Sequence, residues 1–395
     1  MALTKPRARL HDGHGRHDRR VRAAVVAAWS SAREFMTEPP SAGPIVWLLT
    51  DDRPGNRTQV LGAARALGLP SIEKALCFRT PESRWFGRRG ASLDTLDDRS
   101  REQIAPPFPD LVIAAGRRSV PVVSWIKQAS RGRAKAVLLG RKTPDGVADL
   151  TVRLSYFRQV PDPKLLEIDL PLTQVDRERL DEIAKNEPDP LAGLQRPRTA
   201  FLVGGPTGQH DLTAEFAGRM AQETAAAAAE TGGGLAIVTS PRTPTDAVAA
   251  IRAAAGEARL FEWSPDRSKN PYLAILANAD LLVVTGESES MLAEAIQAQR
   301  PLTIYPLHEP PMRPISLARA WIARTAIRGG LFAPLCRKIM SDGLVTPRRE
   351  FAAFHRMIEE RGWGRVFDGR LNRKSPAPHD ERERLADRMR SVLGT

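Results

Sequence analysis

The sequence predicts an α/β protein made of two doubly wound parallel sheets, one in each half of the chain. Three features of the residue order carry that expectation. Short apolar and β-branched runs alternate with segments of helical period, the pattern of strands joined by crossover helices. The runs are apolar throughout rather than alternating, as strands covered on both faces must be. The alternation also stops in a polar, Pro-rich interval near residues 172–198 and then begins again.

The first half opens on "GPIVWLLTDD", with a buried strand over 45–49 and a helix over 56–67. Further strands fall at "LVIAAG" (111–116), "AVLLG" (136–140) and, more weakly, "DLTVRL"; "SVPVVSWIKQAS" supplies a helix between the first two. After the interval come "TAFLVGG", an Ala-rich helix over 212–231, "GLAIVTS", a helix near 245–255, "RLFEWS", "DLLVVTG", another helix and "PLTIYP". The predicted organisation is an extension over 1–43, an α/β domain over 44–175, a second over 198–310, and a basic helical region over 311–395.

Composition narrows the partners. The 395 residues are 42% hydrophobic and 27% charged, values of a globular chain with room for two cores. A formal net charge of +13 suggests an anionic partner, whether nucleic acid, anionic lipid or a phosphorylated substrate. Aromatics at 6% and the lack of a recognised binding motif argue against nucleic acid. Two distant cysteines, Cys77 and Cys336, suit a reducing compartment and no disulfide framework. No apolar run has transmembrane length, and the Arg-rich start has no secretory core. That start reads as a basic extension; a mitochondrial transit peptide is opposed by Asp12 and Asp18. The expected location is cytoplasmic, with attachment to the inner-membrane surface open. Between 310 and 341 there is no acidic residue, while Arg313, Arg319, Arg324, Arg328, Arg337 and Lys338 interleave with Leu, Ile, Trp and Phe. This suits either an anionic membrane surface or a helix packed on its own domain.

In parallel sheets ligands bind beyond the carboxyl ends of strands, so the informative residues follow the strands. "VGGPTGQHD" offers Gly204, Gly205 and Gly208 for close backbone approach, although a Gly-Gly turn needs no ligand. "TSPRTPTD" offers Ser240, Arg242 and Thr243 for a phosphate, Arg242 as a forked donor, or else a capped helix start. "SPDRSKNPYLAILANAD" sets Lys269, Asn270 and Tyr272 before a helix. In "DLLVVTGESESMLAEAIQAQRP", Ser288 or Ser290 can cap the helix, with Glu287 and Glu289 favourable at its positive end. Glu294 lies deeper in that helix, where a carboxylate can accept from both hydroxyls of a ribose while the helix start faces a diphosphate. In "TDDRPGNRTQ", Asp51 or Asp52 is placed to take a proton from an acceptor hydroxyl, with Gly55 and Asn56 shaping the turn and Gln59 able to touch acceptor. Arg117 and Arg118 follow another strand and suit phosphate or solvent equally.

The second half resembles the nucleotide-sugar-binding domain of GT-B glycosyltransferases through "GGPTGQ" and through Glu294, Ala295 and Pro301. The transferases that add N-acetylglucosamine to the peptidoglycan lipid precursor share that glutamate-to-proline spacing. From about 45 to 370, the motifs "DDRPGNRTQ", "VGGPTGQHD", "TSPRTP", "NPYLAILANADLLVVTGESESMLAEA" and "RPLTIYP" together resemble the family named for the plant mitochondrial-fission protein "elongated mitochondria". The resemblance implies two Rossmann-like domains facing across a cleft, GT-B-like. The expected donor site is Gly204, Gly205, Gly208, Ser240, Arg242, Thr243, Ser288, Ser290, Met291 and Glu294, of which the resemblance itself carries over the Gly-rich loop and Glu294 but not each serine. The acceptor side would hold Gly55, Asn56, Gln59 and Arg117, with Asp52 or Asp51 catalytic. The implied activity is metal-independent, cofactor-free transfer from a nucleotide sugar to an envelope or lipid-linked acceptor. The plant role, recruitment of a dynamin-like protein, implies the alternative of a non-catalytic membrane-associated adaptor. Glu287-Ser288 stands where that family has Asp-Ser. An epimerase label borne by bacterial members lacks support here, since there is no Tyr-x-x-x-Lys pair and no dinucleotide glycine spacing.

Overall fold

Two six-stranded sheets, every strand parallel to its neighbours, organise the chain. The computed structural model describes residues 43–79, 90–140, 147–157, 162–266, 270–309, 314–341, 345, 350–379 and 381–394. The 1–42 extension, Lys269 and Arg313 therefore lie outside the described residues.

The first half runs β1 (Val46–Asp51), α1 (Pro54–Leu67), β2 (Ser71–Leu76), α2 (Asp98–Glu102), β3 (Leu111–Ala115), α3 (Val120–Ala129), β4 (Lys135–Leu139), β5 (Leu150–Leu154) and β6 (Leu165–Ile168). Its strand order is β2-β1-β3-β4-β5-β6. A helix α4 (Arg177–Asn186) leads to the second half. There follow β7 (Thr199–Leu202), α5 (Ala214–Glu230), β8 (Leu235–Val238), α6 (Thr245–Ala254), β9 (Arg259–Phe261), α7 (Tyr272–Asn278), β10 (Leu281–Thr285), α8 (Glu289–Gln297) and β11 (Leu302–Tyr305). The chain closes with α9 (Pro314–Arg328), α10 (Ala333–Ser341), α11 (Phe351–Glu360), β12 (Arg365–Val366) and α12 (Arg382–Leu393). The second sheet has the order β12-β11-β10-β7-β8-β9.

The foreseen strands are the eight interior ones, each flanked by a strand on either side, and one edge strand, β9, whose three residues are half-buried. β1, β3 and β10 are buried at every residue. Three strands were not foreseen. β2 begins with exposed Ser71, Ile72 and Glu73, β6 alternates over four residues, and β12 is two residues long. Edge strands carry little of the apolar signal that marks a buried one.

The 172–198 interval is more than a linker. Asp176 caps α4 by accepting from the Arg179 amide at 2.8 Å. Its apolar stripe, Leu180 and Ile183, is buried in the core under the second sheet beside Ile275 of α7. The C-terminal region likewise divides. α11 buries Phe354 and Ile358 in that same core. α12 returns to the first half, where Leu385 and Met389 pack with Val60 and Leu67 of α1. The two halves also meet at Tyr156, in a single 3-10 turn after β5. Its ring stacks on Phe354 with centroids 4.4 Å apart, and its hydroxyl donates to Glu289 Oε1 at 2.7 Å. Glu289 opens α8, so this bond ties the carboxyl end of a first-sheet strand to the carboxyl end of β10. Cys77 and Cys336 are both free thiols.

Candidate functional site

Each sheet reverses its winding once. In the second, the chain leaves β7 towards β8 and β9, then returns to β10 and proceeds to β11 and β12. In the first, the reversal lies between β1 and β3. The crevice beyond the carboxyl ends at such a reversal is open, because the connecting helices depart to either side. Both clusters of sequence-predicted residues stand at these two points.

At the second reversal the Gly204-Gly205 loop follows β7 and Gly286-Glu287-Ser288 follows β10. Glu287 is the hub. Its residue is 3% exposed, and its Oε1 accepts from the Gly205 amide at 2.8 Å and faces Arg242 Nη2 at 3.4 Å. Its Oε2 has no partner among the described residues. Burial pushes this carboxyl above its ordinary range, while the Gly205 amide and Arg242 pull it back. The glycines are demanded by this packing. A Cβ on Gly204 would stand 1.8 Å from Glu287 Oε1, and one on Gly205 would stand 2.1 Å from the Arg242 carbonyl oxygen. Gly208 is exposed, and a Cβ there would meet open space.

Ser240 and Thr243 turn inward rather than towards the crevice. Both donate to the Gly204 carbonyl, at 2.9 and 2.6 Å, and so lock the loop from below. Arg242 is different. It reaches the Gly205 carbonyl at 3.4 Å, Glu287 at 3.4 Å and Ser288 Oγ at 3.2 Å, all long contacts, and its side chain is partly exposed. Its fork therefore keeps donor capacity. Ser288 occupies the N-cap of α8 yet makes no capping bond, contrary to the expectation from sequence; its hydroxyl accepts from Arg242 instead. The first amides of α8 therefore receive no cap from the Ser288 hydroxyl. Ser290 is exposed and Met291 half-buried on the first turn.

One and a half turns into α8, Glu294 Oε2 accepts from the Tyr272 hydroxyl at 2.5 Å. Burial raises the Glu294 carboxyl from 4.5 to about 7, with the Tyr272 bond acting in the opposite direction. Tyr272 is itself raised well above its usual value, by burial first and then by Glu294. Asn270 uses its side chain to hold its own turn, accepting from Ser264 N at 2.9 Å and donating to Ser264 O at 2.6 Å.

Two histidines at this crest were not singled out from sequence. His355, on α11, donates from Nε2 to the Gly286 carbonyl at 2.8 Å, and a Cβ on Gly286 would stand 2.5 Å from its Cε1. Burial lowers His355 from its ordinary value, against the pull of that carbonyl. His210, in the β7 loop, is buried with its Nε2 3.3 Å from Glu309 and its ring 4.7 Å from Phe351. The His355 contact spans 69 residues, so no local pattern announces it.

At the first-sheet reversal Asp51 ends β1. It is buried and accepts from Arg53 N at 3.1 Å, from Asn56 Nδ2 at 3.2 and 3.0 Å, and from Arg118 Nη2 at 2.8 Å. Asn56 thus serves Asp51 rather than capping α1, which begins at Pro54. Arg118 Nη2 also engages Asp52, whose side chain is 56% exposed. Burial works against the Arg118 charge, but the two carboxylates outweigh it and raise its pKa. The guanidinium lies 4.8 Å from the Phe78 ring centroid. Gly116, with φ 79°, passes so close that a Cβ would stand 2.7 Å from Asn56 Nδ2. Gly55 and Arg117 are exposed and Gln59 is half-buried. Of the acceptor-side candidates, only Asn56 is drawn into the Asp51 network.

Among the described residues no group of three or more His, Cys, Asp or Glu is placed to hold a metal ion, and no helix is long and apolar enough to cross a membrane. The profile of the family described as "Mitochondrial fission ELM1" matches residues 54–328. No curated protein matches the sequence. Among solved structures, the UDP-GlcNAc 2-epimerase from Methanocaldococcus jannaschii aligns at 10% identity over 89% of this chain and 100% of its own, with a TM-score of 0.43. The E. coli ADP-heptose lps heptosyltransferase II aligns at 12% identity over 88% and 98%, with a TM-score of 0.39. Acinetobacter baumannii MurG aligns at 13% identity over 89% and 91%, also at 0.39.

Proposed function

The chain belongs to the mitochondrial fission ELM1 family, and on that premise we propose that it is a glycosyltransferase-like protein that binds a nucleotide-sugar donor at the β7/β10 reversal. The observation that carries this reading is the start of α8, where the Ser288 hydroxyl turns to the loosely held fork of Arg242 rather than to the helix, with a carboxylate farther down the same helix. Amides at a helix start and a guanidinium are the donors a diphosphate needs. Glu294 then accepts from the ribose hydroxyls and shares the site with Tyr272. Glu287, Ser240 and Thr243 fix the loop that closes over the phosphates. Such donors aimed at a leaving diphosphate stabilise its developing charge in the role that a cation plays elsewhere.

The acceptor, envelope-derived or lipid-linked, is assigned to the first-sheet reversal. Asp52 is the candidate base, since it is the more exposed of the two acids and Asp51 already serves three donors. A second reading, an adaptor that keeps the fold without turnover, is favoured by one observation: Arg118 engages both acids, so Asp52 must loosen that ion pair to take a proton.

Calorimetric titration with UDP, GDP, ADP and CMP tests the proposal. One nucleotide is expected to bind, and Arg242→Gln should weaken it roughly 10- to 100-fold, the equivalent of one charged hydrogen bond. Absence of binding by all four, or equal affinity in the variant, refutes the donor site.

A further inference from the structure

The hairpin of α9 and α10 carries most of the large exposed apolar side chains of the described residues. Leu317, Trp321, Phe332 and Leu335 are each more than half exposed, and Leu331 is 89% exposed. The two helices pack chiefly against one another, with Ala323 and Ala326 of α9 buried and Arg337 Nε of α10 donating to the Ala326 carbonyl at 2.9 Å. Opposite the buried alanines, Leu317, Trp321, Arg324 and Arg328 recur at helical spacing along one exposed face of α9. The connecting turn places Gly329 and Gly330 at φ of 89° and 107°, values that suit glycine, and delivers Leu331 and Phe332 to solvent.

Charge selects the occupant of this face. Residues 314–341 hold five Arg or Lys and no Asp or Glu, so the arginines of α9 have no carboxylate within the hairpin. Residues 1–42, a segment of this chain that could otherwise cover it, carry eight Arg or Lys against four Asp or Glu and share its sign. A second copy would oppose basic to basic as well. We infer that the α9–α10 hairpin is a membrane-docking element, in which Trp321, Leu331 and Phe332 enter the interface of an anionic bilayer while Arg324 and Arg328 reach its headgroups.

Apolar side chains joined to cations on one face are the composition of a helix that lies in a membrane interface. Long arginine stems let the charge sit at headgroup level while the stem follows the apolar surface. The docking does not depend on the donor site, so a failed nucleotide titration leaves it intact.

Co-sedimentation of the full-length chain with phosphatidylcholine vesicles, with and without phosphatidylglycerol, tests the inference. Binding is expected only to the anionic vesicles and to weaken with salt. Arg324→Gln with Arg328→Gln should lower it roughly 25-fold, at about fivefold per headgroup-facing cation. Trp321→Ser with Phe332→Ser should lower it at least tenfold with an unchanged melting temperature, because both side chains are exposed in the free protein. Equal binding to neutral vesicles overturns the inference, as does wild-type binding by either double variant. Light scattering that shows the serine pair dissolving a solution dimer while vesicle binding persists would assign the face to self-association instead.

Discussion

Replacing Glu294 by glutamine should remove a pH dependence of stability that the wild type carries. In the folded chain this carboxyl titrates near 7, in place of 4.5, because it is buried beside Tyr272. Between those values the folded protein holds a proton that the unfolded chain releases, so stability falls as pH rises, by about 1.4 kcal/mol per unit. The contribution is fully present below 4.5 and is lost as pH passes through 7. Over the whole interval the loss is about 3 kcal/mol. Glutamine has nearly the same shape, accepts from Tyr272 and cannot ionise. Urea denaturation at pH 5, 6, 7 and 8.5 should therefore show the variant gaining on the wild type by about 2–3 kcal/mol from the lowest pH to the highest, since part of the loss already lies below pH 5. The same substitution should weaken nucleotide binding most at high pH, where the ionised carboxylate is the better acceptor for ribose hydroxyls. Parallel stability curves for the two proteins would refute the burial of Glu294, and a pH-independent affinity ratio would refute its contact with the ligand.

Arg118→Gln should destabilise the fold by about 3–5 kcal/mol in urea, because it leaves the buried Asp51 without its cation. Gly205→Ala should cost roughly 1–3 kcal/mol and lower the melting temperature, since the new methyl meets the Arg242 carbonyl, a backbone atom that cannot swing aside. Asp52→Asn should leave calorimetric donor affinity unchanged while abolishing sugar transfer or donor hydrolysis; turnover at the wild-type rate would remove Asp52 from the base role and favour the adaptor reading.

The fold class was legible because parallel strands covered on both faces leave an unbroken apolar run, as in "VWLLTD" and "LLVVT". Where a strand has one open side the run dissolves, which is why β2, with three exposed residues at its start, gave no signal. The helix α4 was hidden for another reason. Its two buried residues, Leu180 and Ile183, lie one turn apart among eight polar or small ones, and short stripes of that kind read as linker until the surface they cover is known. The destination of α12 was beyond any local reading, since Leu385 packs against residues more than three hundred positions earlier.

At the candidate site, sequence singled out the loops that stand at the two winding reversals but could not say which side chains within them remain available. Ser240, Arg242 and Thr243 look alike as phosphate donors when read in a row. Folding separates them: the two hydroxyls meet the Gly204 carbonyl, and only the guanidinium is left with long, weak contacts. Glu287 shows the same effect in reverse. On paper it is one more acid at a positive helix end, yet its burial makes it the partner of the Gly205 amide and gives the Gly204-Gly205 pair its steric reason. A carboxylate with one oxygen committed to that amide and the other unpartnered is costly in isolation. Arg242 offsets the charge across 3.4 Å, a separation that a bound diphosphate would compete for. Phosphate binding would thus draw the guanidinium from Glu287 towards the crevice and favour protonation of the buried acid, so proton uptake on nucleotide binding, read from the buffer dependence of the binding heat, follows from the same geometry that makes Arg242 available.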